Sequence, residues 1–339
     1  MSNDGCKVDD LFIGFSTHRP EIVPLAAEQM ARFDLICLEE PPSESFLPML
    51  RREIAVEDYL LELDLEYPEF SRRMCRLLRD LHDRGKRVVQ VEPFLEHLLA
   101  IHERFAAGEA PDDLPRGTPM FDVYEAEREA TAALLAFYTA AAGAGFDRVI
   151  AAVKRFARSD ARRFLLRDRM RARAIAPLIS EARSSYVEAG QMHFALQRFL
   201  RRILPGTLRV VSRFLAAPQA RAFGGPAHLY GPGDVLTLLY LFHPERDQPR
   251  EDLLAARALV YNKIIEKEES EEGSDGFFHT KDEIQAIRTV RPLSVEDCRT
   301  LYPVLRRAGT AESRQAVKDY LRSQRKGRKG AIPPPKSWT

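Results

Sequence analysis

The sequence predicts an α/β protein, with a mainly parallel or mixed central sheet, flanking helices, a helical insertion and extra helices towards the C-terminal end. Three observations carry that prediction. Short apolar runs recur at Leu11–Ile13, "FDLICLEE" (33–40), "GKRVVQVEP" (85–93), Tyr186-Val187 and "TLRVVSRFLA" (207–216), the lengths and compositions of buried strands. Stretches with apolar residues at helical spacing separate them, and strands alternating with helices imply parallel pairing. Polar groups gather where the strands end, at the edge where open α/β sheets bind ligands.

The elements follow in order. In "DDLFIGFSTHRPE" (9–21) a strand ends near Gly14, His18 comes just ahead of Pro20, and Pro20 suits the first turn of a helix continued by Ile22, Leu25, Ala26 and Met30. "FDLICLEE" gives a second strand that ends in Glu39 and Glu40 and is broken by Pro41 and Pro42. "PEFSRRMCRLLRDLHDR" (68–84) is an amphipathic helix, and Gly85 leads into a third strand. From about 95 to 182 the chain reads as helical, with a loop at "AAGEAPDDLPRGTP" (106–119). In "SSYVEAGQMHFALQRFLRRI" (184–203) a fourth strand stops at Gly190, His193 follows on the turn, and Phe194, Leu196, Phe199, Leu200 and Ile203 recur as a helix.

After a fifth strand and the loop "FGGPAHLYGPGD" (223–234), "VLTLLYLFH" (235–243) and "REDLLAARALVYNKIIEKEE" (250–269) read as helices. "TKDE" (280–283) and "SVED" (294–297) have capping-box spacing, predicting helices that start near Lys281 and Val295. The basic, proline-rich end predicts disorder. The resulting organisation is an α/β domain over 1–215, a helical extension over 216–312 packed on it, and a tail over 313–339, largely disordered at its end.

Composition bounds the function. Lys plus Arg number 51 and Asp plus Glu 50 in 339 residues, so no net field draws the whole surface to nucleic acid. The arginine-rich segment 154–173 reads as an amphipathic helix whose Phe156 and Phe164 face a core, so no dedicated nucleic-acid surface is expected. The polar start and the lack of a long apolar run predict a cytoplasmic protein without membrane contact. Cys6, Cys37, Cys75 and Cys298 are widely spaced and indicate neither a disulfide framework nor a structural zinc site.

"RRFLLRDRMRARAI" (162–175) adds the last element of a constellation. On a helix Arg163, Leu166, Arg167, Met170 and Ala174 share one face and Arg169 points away. A semi-buried Arg167 needs an anionic partner, and the strand-end carboxylates Glu39 and Glu40 are in place to provide it.

The order of these residues, "GFSTH", "LICLEE", "RDRM" and "YVEAGQMH", resembles the TraB, TIKI, ChaN-like and erythromycin-esterase superfamily, over about residues 10 to 205. That group is marked by two Gly-x-x-His motifs, a glutamate ending the second strand, and an arginine followed by Asp or Asn and then Met. Gly190-Gln191-Met192-His193 fits the second motif fully and Arg167, Asp168 and Met170 fit the arginine motif. The first motif departs from the pattern, because Gly14 lies four residues before His18 and Phe15 stands at the glycine position.

The resemblance implies a fold in which His18, Glu39 and His193 meet at one edge of the sheet. Members include metal-dependent peptidases, macrolide esterases in which a histidine activates water, and haem-binding proteins. The expectation is therefore a hydrolase acting on an ester or peptide bond of a small-molecule or peptide substrate, with His18, Glu39, Glu40, Arg167 and His193 as catalytic residues. His18, Glu39 and His193 are the expected ligands of a divalent metal, manganese or zinc. The alternative is a non-catalytic module binding a small molecule or haem, with Tyr186, His97 and His102 as further ligands. Glu21 is either a second carboxylate at the site or a helix N-terminal charge. Oligomeric state is not encoded in any motif.

Overall fold

The computed structural model describes residues 11–63, 65–244, 250–269 and 276–330, the last six by backbone alone. Strands β1 (Leu11–Ser16), β2 (Leu35–Leu38), β3 (Arg87–Gln90), β4 (Ser185–Gly190) and β5 (Val210–Phe214) form one sheet in the order β3-β2-β4-β1-β5. All four pairings are parallel, so the sheet is parallel and not mixed. β1 and β2 are buried throughout, which explains their unbroken apolar sequences.

One face carries Phe12, Ile36, Leu38 and Tyr186 and packs on the helices Val23–Met30 and Pro68–Asp83 through Ala26, Met30, Cys75 and Leu78. The other carries Leu11, Ile13, Cys37, Val187 and Ala189 and packs on Ala172, Ile175 and Ile179 of the long helix Phe146–Glu181. Gly14 is required by a close approach: a Cβ there would lie 2.1 Å from the Tyr186 hydroxyl. β4 is inserted between β2 and β1 after the chain has moved outwards to β3, so the carboxyl ends of β1, β4 and β2 adjoin at a point where the winding reverses.

The helical block consists of Pro93–Ala106, Pro119–Gly143 and Phe146–Glu181, with the expected loop between the first two. Helices Pro232–Phe242 and Glu251–Ile264 pack on the amino-terminal half of the long helix, and Phe278–Val290, Val295–Leu305 and Thr310–Gly330 pack in turn on Glu251–Ile264; Val149 and Ile150 join Leu236, Val260 and Leu301 in this second core. The long helix therefore belongs to both cores and holds the extension against the sheet.

Three expectations need correction or precision. The boundary drawn at 312/313 falls inside the helix Thr310–Gly330, because Val317 is fully buried in the second core and fixes that helix; residues 331–339 lie outside the described residues. "TKDE" is not a capping box, since its helix begins at Phe278; the carboxylate that caps this helix is Glu21, which accepts from the amides of His279 (3.1 Å) and Thr280 (2.7 Å). "SVED" does cap its helix, Ser294 Oγ accepting from Asp297 N and Asp297 Oδ2 from Ser294 N. Cys37, Cys75 and Cys298 are buried free thiols, and among the described residues no helix is long and apolar enough to cross a membrane.

Candidate functional site

Each strand that ends at the winding reversal delivers a charged side chain. β1 ends at Ser16, whose Oγ accepts from the amide of His18 at 3.0 Å. His18 itself takes a left-handed backbone conformation (φ 51°), unusual for a side chain other than glycine, and this turns its imidazole across the carboxyl end of β4. There Nε2 meets Glu188 Oε1 at 2.7 Å. The departure from the first motif thus resolves into a strained histidine held by a side-chain hydrogen bond, while Phe15 stays in the strand core.

Glu39, one residue beyond β2, is the hub. Its Oε2 accepts from the amide of Gly190 at 2.6 Å and from Arg171 Nη1 at 3.4 Å, and its Oε1 lies 2.7 Å from His193 Nε2 and 3.3 Å from Arg167 Nη2. Its own amide donates to Glu188 Oε2. Gly190 admits this convergence, since a Cβ there would stand 3.2 Å from His18 Cε1 and 3.6 Å from Glu39 Oε2. Glu40 points elsewhere, as alternation along an extended chain requires, and accepts from Gln90 Nε2 on β3 at 2.9 Å.

His193 is buried and held from both sides. Nδ1 lies 2.5 Å from Asp168 Oδ1, Nε2 faces Glu39, and Phe164 packs edge-on against the ring. A carboxylate at each ring nitrogen favours a proton on each, the imidazolium form. Burial pushes its pKa down, but Glu39 and Asp168 outweigh burial and raise it to about 9. Burial also opposes ionisation of Glu39, yet His193, Arg171 and Arg167 hold its carboxyl well below the usual glutamate range. His18 follows His193 in direction: burial lowers its pKa, and Glu188 with Glu39 raises it above the ordinary value.

Arg167 reaches Glu39 as the helical face predicts, and also lies 3.5 Å from Glu92 Oε2. Arg169 is exposed. Arg171, one turn on, is fully buried: it donates to the carbonyls of Val91 (2.9 Å) and Glu188 (2.6 Å) and faces Glu39 and Glu92. Glu92 is fully buried between the two guanidiniums, with Oε2 3.5 Å from Arg167 Nη2 and 3.9 Å from Arg171 Nε.

The expected site therefore assembles around His18, Glu39, Arg167 and His193, with Glu40 at its margin. Of the expected metal set, ligand atoms of His18 and Glu39 lie within 4.8 Å of one another together with one of Glu188, a group that could hold an ion, whereas both ring nitrogens of His193 are engaged by carboxylates. Glu21 serves the helix Phe278–Val290 and not the site. The expected haem ligands are not gathered here, with Tyr186 inside the sheet core, His97 half-buried and His102 exposed on helix Pro93–Ala106.

Sequence reasoning missed Glu188, Glu92 and Arg171 as site members. Glu188 had a signal, a carboxylate between Val187 and Ala189 in a strand buried on both faces. Arg171 had one too, its spacing of four from Arg167.

No family model matches the chain, and no solved structure matches it. A protein of Archaeoglobus fulgidus described only as uncharacterized is 28% identical over 289 residues, 85% of this chain and 96% of the relative. A match of that length extends beyond the sheet into the C-terminal helices.

Two outcomes test this geometry. Arg171→Ala should cost about 3–5 kcal/mol in denaturant unfolding, because it leaves buried carboxylates without their partner, whereas exposed Arg169→Ala should cost less than about 0.5 kcal/mol; equal costs would show the wrong helical face. In nitrogen-15 NMR both ring nitrogens of His193 should be protonated at neutral pH. Because folding raises the His193 pKa from 6.5 to about 9, its stabilising contribution should be complete below pH 6.5 and lost as the pH rises through about 9, and His193→Gln should remove that component.

Proposed function

We propose that the protein is a divalent-metal-dependent hydrolase of the TraB, TIKI, ChaN-like and erythromycin-esterase type, acting in the crevice at the carboxyl ends of β1, β4 and β2 on an ester or peptide bond. The observation that carries this reading is the grouping of His18, Glu39 and Glu188 within one ion's reach beside a buried arginine pair. The donor set fits a metal: one imidazole and two carboxylates suit zinc or manganese, and Gly190 keeps open the space between His18 and Glu39 that a side chain would fill. Such an ion lowers the pKa of bound water and polarises a carbonyl.

The protein's own groups divide the remaining work. Glu188 orients His18 through its contact with Nε2; the proton between them would give way to a bound ion, with Nε2 and the Glu188 carboxylate both as ligands. His193, clamped between Asp168 and Glu39, is a positioning residue: it fixes the Glu39 carboxylate and keeps it ionised. This replaces the water-activating role expected of it. Arg167, partly exposed to the crevice, is the group available to stabilise an oxyanion, with Glu92 holding the guanidinium in place. Glu40 is the group suited to carry a proton at the margin of the site, since burial, and secondarily the charge of Glu188, raises its pKa against the hydrogen bond from Gln90.

Titration calorimetry with zinc and manganese tests the metal. The wild type should bind one equivalent, and His18→Ala and Glu188→Gln should each abolish binding while remaining folded; absence of binding by the wild type, or binding unchanged in both variants, would contradict the reading. Hydrolysis of a panel of ester and peptide substrates should depend on the added ion and fall at least about a hundredfold in Arg167→Lys, which keeps the charge but loses the planar donor pair.

A further inference from the structure

A second feature lies away from these residues, along the free edge of the sheet. Between Glu188 and Asp234 the sequence has no acid and no lysine but six arginines, at 198, 201, 202, 209, 213 and 221. This stretch of 45 residues carries +6 with no acid to offset it, in a chain whose net charge is +1. Some surface arginines pair with acids, as Arg52 does with Asp83 and Arg299 with Asp147; Arg198, Arg201, Arg202, Arg213 and Arg221 make no ion pair among the described residues.

The segment surrounds β5, the last strand of the sheet. Leu11 N donates to Arg209 O and Leu215 N donates to Phe15 O, so odd-numbered residues of β5 face β1, and the backbone groups of Val210, Ser212 and Phe214 face outwards. Arg201 covers the Val210 carbonyl at 3.2 Å; the backbone of Ser212 and Phe214 has no described partner. A groove of about 720 Å³ runs along this edge. Glu28 and Gln29 of helix Val23–Met30 form one wall, Phe194 and Gln197 the other, and Ser212 and Phe214 lie between them. Phe194 is 36% exposed and stacks on Phe214, an apolar ledge within an arginine rim.

We propose that this edge binds an extended acidic segment of another protein as a sixth strand. Outward N–H and C=O groups supply the ladder, Phe194 and Phe214 receive alternate apolar side chains, and Arg201, Arg213 and Arg221 meet the carboxylates. Two copies of this chain would bring six arginines against six, which disfavours self-pairing. A single-stranded nucleic acid would match the arginines but leave the alternating backbone groups unused.

Fluorescence anisotropy with three labelled probes tests this: a peptide of alternating valine and glutamate, the same peptide with lysine for glutamate, and a single-stranded oligouridylate. The glutamate peptide should bind and the lysine peptide should not, and the double variant R201E/R213E should bind at least about tenfold more weakly. Ser212→Pro removes an outward N–H, a change an edge strand tolerates in the free protein, and should weaken binding to a similar degree with an unchanged circular dichroism spectrum. If Ser212→Pro fails to fold, slowed amide exchange at Ser212 and Phe214 on adding the peptide to wild type takes its place. Binding insensitive to Ser212→Pro, unchanged exchange, preference for the oligouridylate, dimerisation through this edge, or no binding of any probe would each overturn the proposal.

Discussion

Four carboxylates, Glu39, Glu92, Asp168 and Glu188, are buried together at one edge of the sheet with only two guanidiniums, those of Arg167 and Arg171, to offset them. This imbalance governs the rest of the site. A buried charge without a partner is strongly destabilising, and four negative against two positive leaves two to be neutralised. The imidazolium of His193 supplies one, between Glu39 and Asp168. The second falls to the pair His18 and Glu188, where a proton on the imidazole completes the balance, as a divalent ion with one further anionic ligand would. The proposed metal site is thus the point at which the network can exchange protons for a cation, and affinity there should be coupled to pH.

The same constraint explains the architecture around it. Glu39 can face His193, Arg167 and Arg171 only because β4 is inserted between β1 and β2, which brings Gly190 and Glu188 beside the end of β2. Arg171 ties the layers together, joining the long helix to the carbonyls that follow β3 and lie within β4. The amino-terminal half of that helix is anchored in the second core with the C-terminal helices, so the placement of the arginines depends on packing well away from the site. Sheet, long helix and extension act as one support for a small polar centre.

Much of the fold was legible in the sequence. Buried parallel strands are continuous apolar runs, as β1 and β2 are, and the shorter apolar runs of β3, β4 and β5 also read as strands; Arg167 declared itself by sharing a helical face with Leu166 and Met170. Other features depend on what folding brings together. Glu92 precedes Pro93 and reads as a helix-start acid, yet it is sealed under two arginines from a segment about 80 residues away. His193 reads as a water-activating or metal-binding imidazole, and only the approach of Asp168 and Glu39 from separate elements fixes it as a cation. Glu21 caps a helix more than 250 residues downstream, a partnership without local pattern. The C-terminal basic run hid a helix because two buried positions, Ser313 and Val317, with their packed neighbours are enough to fix it.

The central claim, that His18, Glu39 and Glu188 complete their charge balance with a divalent ion, is tested most directly by anomalous diffraction from crystals grown with manganese or zinc. The account predicts one anomalous peak within bonding distance of His18 Nε2 and of carboxylate oxygens of Glu39 and Glu188, with His193 still between Asp168 and Glu39. A peak bound by His193, or a crevice with no anomalous density while His18 keeps its contact with Glu188, would contradict it.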